Sequence, residues 1–269
     1  IARCWAFASR QAAFSGQPLM NAFGLIFSLL AVLYGVGVWH LRRRGQHWPF
    51  WRLAIFTLAA LAVAIVLSPP LLHWAHHDFR AHMMVHLIVG MVAPLGLVMA
   101  SPISLALKCV PNAWGRFWVW LVARPWVRLV SHPITATLLN VGVMYVLYMT
   151  DMYAWMLETS WLAAWLHWHF VIAGCLSTWA IAGPDPAPQR PSVGLRVGTL
   201  FVAMVAHATL AKWMYYFHLP SVVPLREVQQ GTELMFYLGE LTEAFLAYRL
   251  IRQWVKNAPL LALNKITTY

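Results

Sequence analysis

The segment HWAHHDFRAHMMVH (73–86) holds five of the chain's twelve histidines: His73, His76, His77, His82 and His86. Imidazole carries protons near neutral pH and is the commonest metal-binding side chain. His82 and His86 are four residues apart, so a helix presents both on one face, with Met83 beside them. Imidazole combined with thioether is a donor set for copper, and the thioether selects Cu(I). Similar residues recur at other segment ends. Met214 and His218 are four apart, and Met149, Met152 and Met156 fall on one helical face beside Asp151. His167 and His169 are two apart and point to nearly opposite faces, so one of them meets the His82/His86 helix. Glu233, Glu240 and Glu243 share one side of a late helix, and a carboxylate there would orient a ligating imidazole or relay protons. Each feature also has a plain reading. A histidine at a helix end hydrogen-bonds its surroundings, and methionine stripes pack. The residue types single out His82, His86, Met83, His73 and His218 as candidate metal ligands.

The scaffold that must position them is set by composition. Of 269 residues, 61% are hydrophobic and 10% charged, with sixteen Trp. A soluble domain carries roughly a quarter charged residues. Seven apolar segments approach the roughly 20 residues that a bilayer-spanning helix needs: 18–40, 53–72, 81–100, 134–152, 162–182, 197–218 and 233–251. Between them lie RRRGQHWPFWR (42–52), a long basic Trp-rich stretch (101–133), GPDPAPQRP (183–191) and LPSVVPLREVQQG (219–231). Proline lacks the N–H a helix interior requires, so 183–191 ends one span, while the middle of 101–133 is expected along the bilayer interface. The expected fold is all-α: an integral membrane bundle of seven transmembrane helices (18–251), after a short interfacial segment (1–17) and before a C-terminal tail (252–269).

Charge placement chooses the orientation. With seven spans, fourteen of the nineteen Lys and Arg fall on one side, among them Arg42, Arg43, Arg44, Arg124, Arg128 and Arg252. The positive-inside rule then places the N-terminus outside and the C-terminus in the cytoplasm. The net charge of +11 is explained by this signal and by contact with the anionic lipid bilayer, and no nucleic-acid partner is implied. Most histidines fall on the other side, which the rule does not require of a neutral side chain. Cys4, Cys109 and Cys175 are far apart and form no CxxC motif.

HMMVHLIVGMVAPLGLVMASP (82–102) resembles the signature of the CtaG family of caa3-type cytochrome c oxidase assembly factors. His82, Met83, His86, Ala93, Pro94 and Pro102 match, while Leu95 stands where the family has a second proline. The histidine-bearing fifth segment followed by GPDP (183–186), and QQG (229–231), are similar to later family elements, although QQG lacks the acidic residue expected before it. The resemblance extends over most of 20–250. It implies seven spans in a bacterial cytoplasmic membrane and a role in maturing a haem–copper oxidase, without enzymatic activity of its own. It carries over to His82 and His86, and adds His169. Oxidase subunits are the implied partners, copper the implied cargo and a periplasmic copper chaperone a further partner. Two rival readings remain: a haem b redox protein using pairs such as His86 and His169, and a cofactor-free companion subunit. A retinal protein is excluded, because 233–251 has no Lys for a Schiff base.

Overall fold

A computed structural model describes residues 17–187 and 190–266, so most of the interfacial segment expected at 1–17 lies outside the described residues. Among the described residues the chain is helical and has no strand. The elements are α1 (Gln17–Arg43), α2 (Phe50–Val66), α3 (Pro69–His77), α4 (Phe79–Met99), α5 (Pro102–Cys109), α6 (Asn112–Val122), α7 (Pro125–Val130), α8 (Pro133–Met149), α9 (Met152–Glu158), α10 (Ser160–Ala182), α11 (Val193–Phe217) and α12 (Leu225–Ile266).

Proline marks the helix starts. Pro69, Pro102, Pro125 and Pro133 each sit in the first turn, where a missing N–H leaves no hydrogen bond unmade. Two expected spans are bent. The axis turns 61° between α2 and α3, at Leu67–Ser68 before the paired prolines, and 84° between α8 and α9. The second bend separates the methionines expected on one face. Met149 is exposed, Met152 half-buried, and Met156 is folded back into the core.

Among the described residues, three helices are long and apolar enough to cross a membrane: α1 from Ala22, α4 and α11. There are five if each bent pair is one span. The fifth and seventh expected spans coincide with α10 and with part of α12, which fall short of that hydropathy. The physical reason differs for each. α10 packs against α4, α8, α9, α11 and α12, so it presents little surface that must match lipid. α12 runs unbroken through the expected tail to Ile266, and Glu233, Glu240 and Glu243 lie inside its apolar stretch. Exposed apolar side chains such as Leu25, Leu29, Val32, Leu58, Phe201 and Leu241 form the outer surface of the bundle, which suits acyl chains rather than water.

Three close helix contacts set the geometry of the interior. At Gly174 on α10, a Cβ would meet the Gly90 carbonyl and lie 2.8 Å from Pro94 Cγ, both on α4. At Gly231 on α12, a Cβ would lie 2.7 Å from Phe79 Cδ1 on α4. These glycines let backbones approach without side chains between them. The third contact is polar: Tyr34 on α1 donates its hydroxyl to the Ala100 carbonyl at 2.8 Å and receives the Trp48 indole N–H at 3.1 Å.

α4 contains a π-helical turn at Ile88–Val92, immediately before Pro94. The single proline of Ala93–Pro94 therefore falls where the helix already departs from α geometry, and Leu95 in place of a second proline does not abolish the irregularity.

Candidate functional site

The first turn of α4 is anchored by acidic and amide groups. Asp78 caps the helix by accepting the Arg80 backbone N–H at 2.9 Å, and it also pairs with the Arg80 guanidinium. That guanidinium holds the Asp78 carboxyl below the usual carboxylate range. Glu227, at the start of α12, accepts the Phe79 N–H at 3.1 Å, and Gln230 accepts from Arg80 at 3.2 Å. The QQG element thus clamps the start of α12 to the start of α4. GPDP has a comparable role at the opposite end. Asp185 is buried and accepts from Ile103 N, Ser104 N and Ser104 Oγ at 3.2, 2.8 and 2.6 Å. It caps α5 directly after Pro102, so two motifs that are 80 residues apart in sequence form one corner.

With α4 held at both ends, His82 and His86 face the interior. Both are 5% exposed. They line a small cavity of about 10 Å³ together with Val89, Leu147, Met156, Leu166, His167 and Phe170. That volume suits one ion or one water. The His82 Nε2 lies 3.1 Å from the Tyr148 hydroxyl. The His86 Nε2 is buried without a hydrogen-bond partner among the described residues. His86 is held edge-on between the Tyr148 and Phe170 rings, at 6.0 and 4.9 Å. His167 donates its Nδ1–H to the Ala163 carbonyl at 2.6 Å, which leaves its Nε2 with a free lone pair. A ligating imidazole is commonly oriented in this way, with the second nitrogen bonded to a backbone carbonyl.

The other candidates lie elsewhere. Of the 167/169 pair, His167 is the one that joins the His82/His86 face. His169 stacks on Trp165 and donates its Nε2–H to the Leu139 carbonyl on α8 at 2.8 Å. The pairing of His86 with His169 across a haem slot is therefore not formed. Met83 is fully buried, but it turns toward Gly231 on α12. His218 ends α11 in a left-handed conformation and donates to the Val223 carbonyl at 2.7 Å. His73 is exposed on α3, and its carbonyl receives a hydrogen bond from His77 at 2.8 Å. Tyr148, which contacts His82 and His86, and Met156, which lines the cavity, are the residues that spacing did not single out as partners of that pair. The signal for Met156 was obscured by the bend after Met149.

The three imidazoles surround the cavity without converging on one point. Among the described residues, no three His, Cys, Asp or Glu side chains are placed to hold a metal ion as they stand. The arrangement offers three neutral nitrogen donors and one thioether in an apolar shell. That set suits a soft monovalent cation bound by small rotations of side chains.

Comparison with known proteins adds the family. The sequence is 33% identical over 199 residues to the uncharacterized protein Mb0105 of Mycobacterium bovis, covering 71% of this chain and 30% of that protein. The uncharacterized protein MT0111 of Mycobacterium tuberculosis gives the same figures, and ML1998 of Mycobacterium leprae is 31% identical over 195 residues, covering 70% of this chain and 30% of that protein. The chain thus spans about a third of the length of these relatives. No solved structure gives a significant match. The family model for the cytochrome c oxidase caa3 assembly factor matches residues 32–257, which includes every element from α2 to α11 and the histidine cavity. The chain therefore belongs to the Caa3_CtaG family of cytochrome c oxidase caa3 assembly factors.

Proposed function

We propose that this chain takes up Cu(I) at the histidine end of the bundle and hands it to a subunit of the oxidase it helps to assemble. The observation that carries this reading is the cavity shared by His82, His86, His167 and Met156, with the His86 Nε2 left unsatisfied. A buried polar atom without a partner costs about 1–3 kcal/mol, so an arriving cation gains by satisfying it. Three donors that do not converge on one point bind weakly, and weak binding suits a protein that must release its cargo. In this reading the chain crosses the bacterial cytoplasmic membrane seven times, with α10 and α12 completing the set. The basic loops face the cytoplasm and the histidines face outward, where a copper donor such as a periplasmic chaperone would dock. The role is delivery rather than catalysis.

The test is copper per chain together with a visible spectrum, on protein purified and loaded with Cu(I) without oxygen. Wild type is expected to hold about one Cu(I) at the histidine cavity, and His82→Ala/His167→Ala to lose it. An unchanged copper content in the double variant would refute the assignment. A haem absorption band without copper would support the redox reading instead.

A further inference from the structure

A second group of buried ionisable side chains lies apart from this cavity and has no role in it. His207 on α11 is 1% exposed, and among the described residues neither ring nitrogen has a hydrogen-bond partner. Glu243 on α12 is buried as well, and its Oε2 has no hydrogen-bond partner among the described residues. The two groups face each other with 4.0 Å between His207 Nδ1 and Glu243 Oε2. The neighbouring helix is shaped around the imidazole. A Cβ on Gly239, one turn before Glu243, would overlap the ring, lying 2.8 Å from Nδ1. α12 thus accommodates His207 and faces it with the Glu243 carboxylate.

Charged or strongly polar groups in a membrane interior are expensive and are retained where they bind or carry something. Two orphaned atoms that face each other, His207 Nδ1 and Glu243 Oε2, call for an ion or water between them. The separation is too long for a hydrogen bond. Two ligand atoms of a tetrahedral Zn(II) with bonds of about 2.0 Å lie roughly 3.3 Å apart, so a small rotation of the Glu243 carboxylate toward Nδ1 brings the pair to bonding geometry. Beside Glu243 is a cavity of about 50 Å³ that reaches Asn140, Ser177 and Thr178, with polar groups to hold waters.

We propose that His207 and Glu243 are the two protein ligands of a second metal site, selective for a borderline divalent cation of the Zn(II) or Cu(II) class, with waters from the adjoining cavity completing its coordination. The donor set differs from that of the first cavity. Imidazole with carboxylate favours harder cations than imidazole with thioether. The two sites share no side chain: neither His207 nor Glu243 lines the first cavity. The proposal does not depend on copper delivery by the first cavity.

The experiment is equilibrium Zn(II) binding to the full chain in detergent, by metal analysis after passage through a desalting column and by calorimetry. Three proteins are compared: wild type, His207→Gln/Glu243→Gln and His82→Ala/His167→Ala. A monodisperse elution profile and an unchanged helical spectrum establish that each is folded. Glu243→Gln alone, which keeps the side-chain shape, serves if the double variant does not fold. The expected result is that the His207/Glu243 variant binds one equivalent less than wild type, while the His82/His167 variant keeps that equivalent. The proposal is overturned if changing Glu243 leaves the Zn(II) content at the wild-type value, or if wild type binds no Zn(II). Loss of Zn(II) only in the His82/His167 variant also overturns it. Cu(I) loading of the same three proteins reports separately on the first cavity, so either reading can fail while the other stands.

Discussion

Gly174→Ala is expected to disturb the histidine cavity although Gly174 carries no donor atom. The added methyl carbon would lie 2.8 Å from Pro94 Cγ and 3.1 Å from Pro94 Cβ, and would press on the Gly90 carbonyl. Carbon atoms in contact prefer about 3.5–4.0 Å, so α4 and α10 must part by roughly 1 Å. Neither a proline ring nor a backbone carbonyl can rotate away. Overpacking of this kind costs about 1–3 kcal/mol, and the better helix propensity of alanine returns at most about 1 kcal/mol. α4 carries His82 and His86 and α10 carries His167, so the shift also separates the donors. Binding constellations tolerate about 0.5 Å, and Cu(I) affinity is therefore expected to fall at least ~10-fold. Thermal unfolding in detergent and competition against a Cu(I) chelator measure the two effects. Gly198→Ala is the control. A Cβ there meets nothing within 4 Å, so its stability should be unchanged or slightly raised. A Gly174→Ala protein as stable as wild type would refute the packing argument. Lower stability with unchanged Cu(I) affinity would refute the link from packing to the site.

Other outcomes follow from the same geometry. His167→Ala should lose Cu(I) binding, whereas His169→Ala should keep it and lose about 1 kcal/mol with the Leu139 hydrogen bond; chelator competition and unfolding of both variants separate them. Asp185→Ala removes the acceptor of three hydrogen bonds at the start of α5 and should destabilise by about 3 kcal/mol, read as a lower unfolding temperature. Because Arg80 lowers the Asp78 pKa, the stability Asp78 contributes is present above its ordinary value of 3.8 and is lost as pH falls through the lower folded value. Unfolding of wild type and Asp78→Asn should therefore differ at neutral pH and converge in strong acid.

The His82/His86 pair, the proline-bounded segments and the asymmetric Lys/Arg distribution were legible in the residues themselves, because helical spacing and the absence of a proline N–H act locally. The same holds for the family: HMxxH, Ala93–Pro94, GPDP and QQG are read in order along the chain. What could not be read were the relations between helices. Spacing shows that His167 and His169 diverge, but which of them turns toward α4 depends on how α10 rotates against Gly90 and Pro94. The methionine stripe looked continuous because periodicity assumes a straight helix, and the 84° bend put Met156 inside and left Met149 outside. His207 and Glu243 are 36 residues apart and belong to no motif. Only the close packing of α11 on Gly239 of α12 makes them neighbours. Local steric and hydrogen-bonding rules, acting within a few residues, determined the elements from sequence alone. Tertiary structure decided the site, because rotations of whole helices about their axes are set by contacts between residues far apart in the chain.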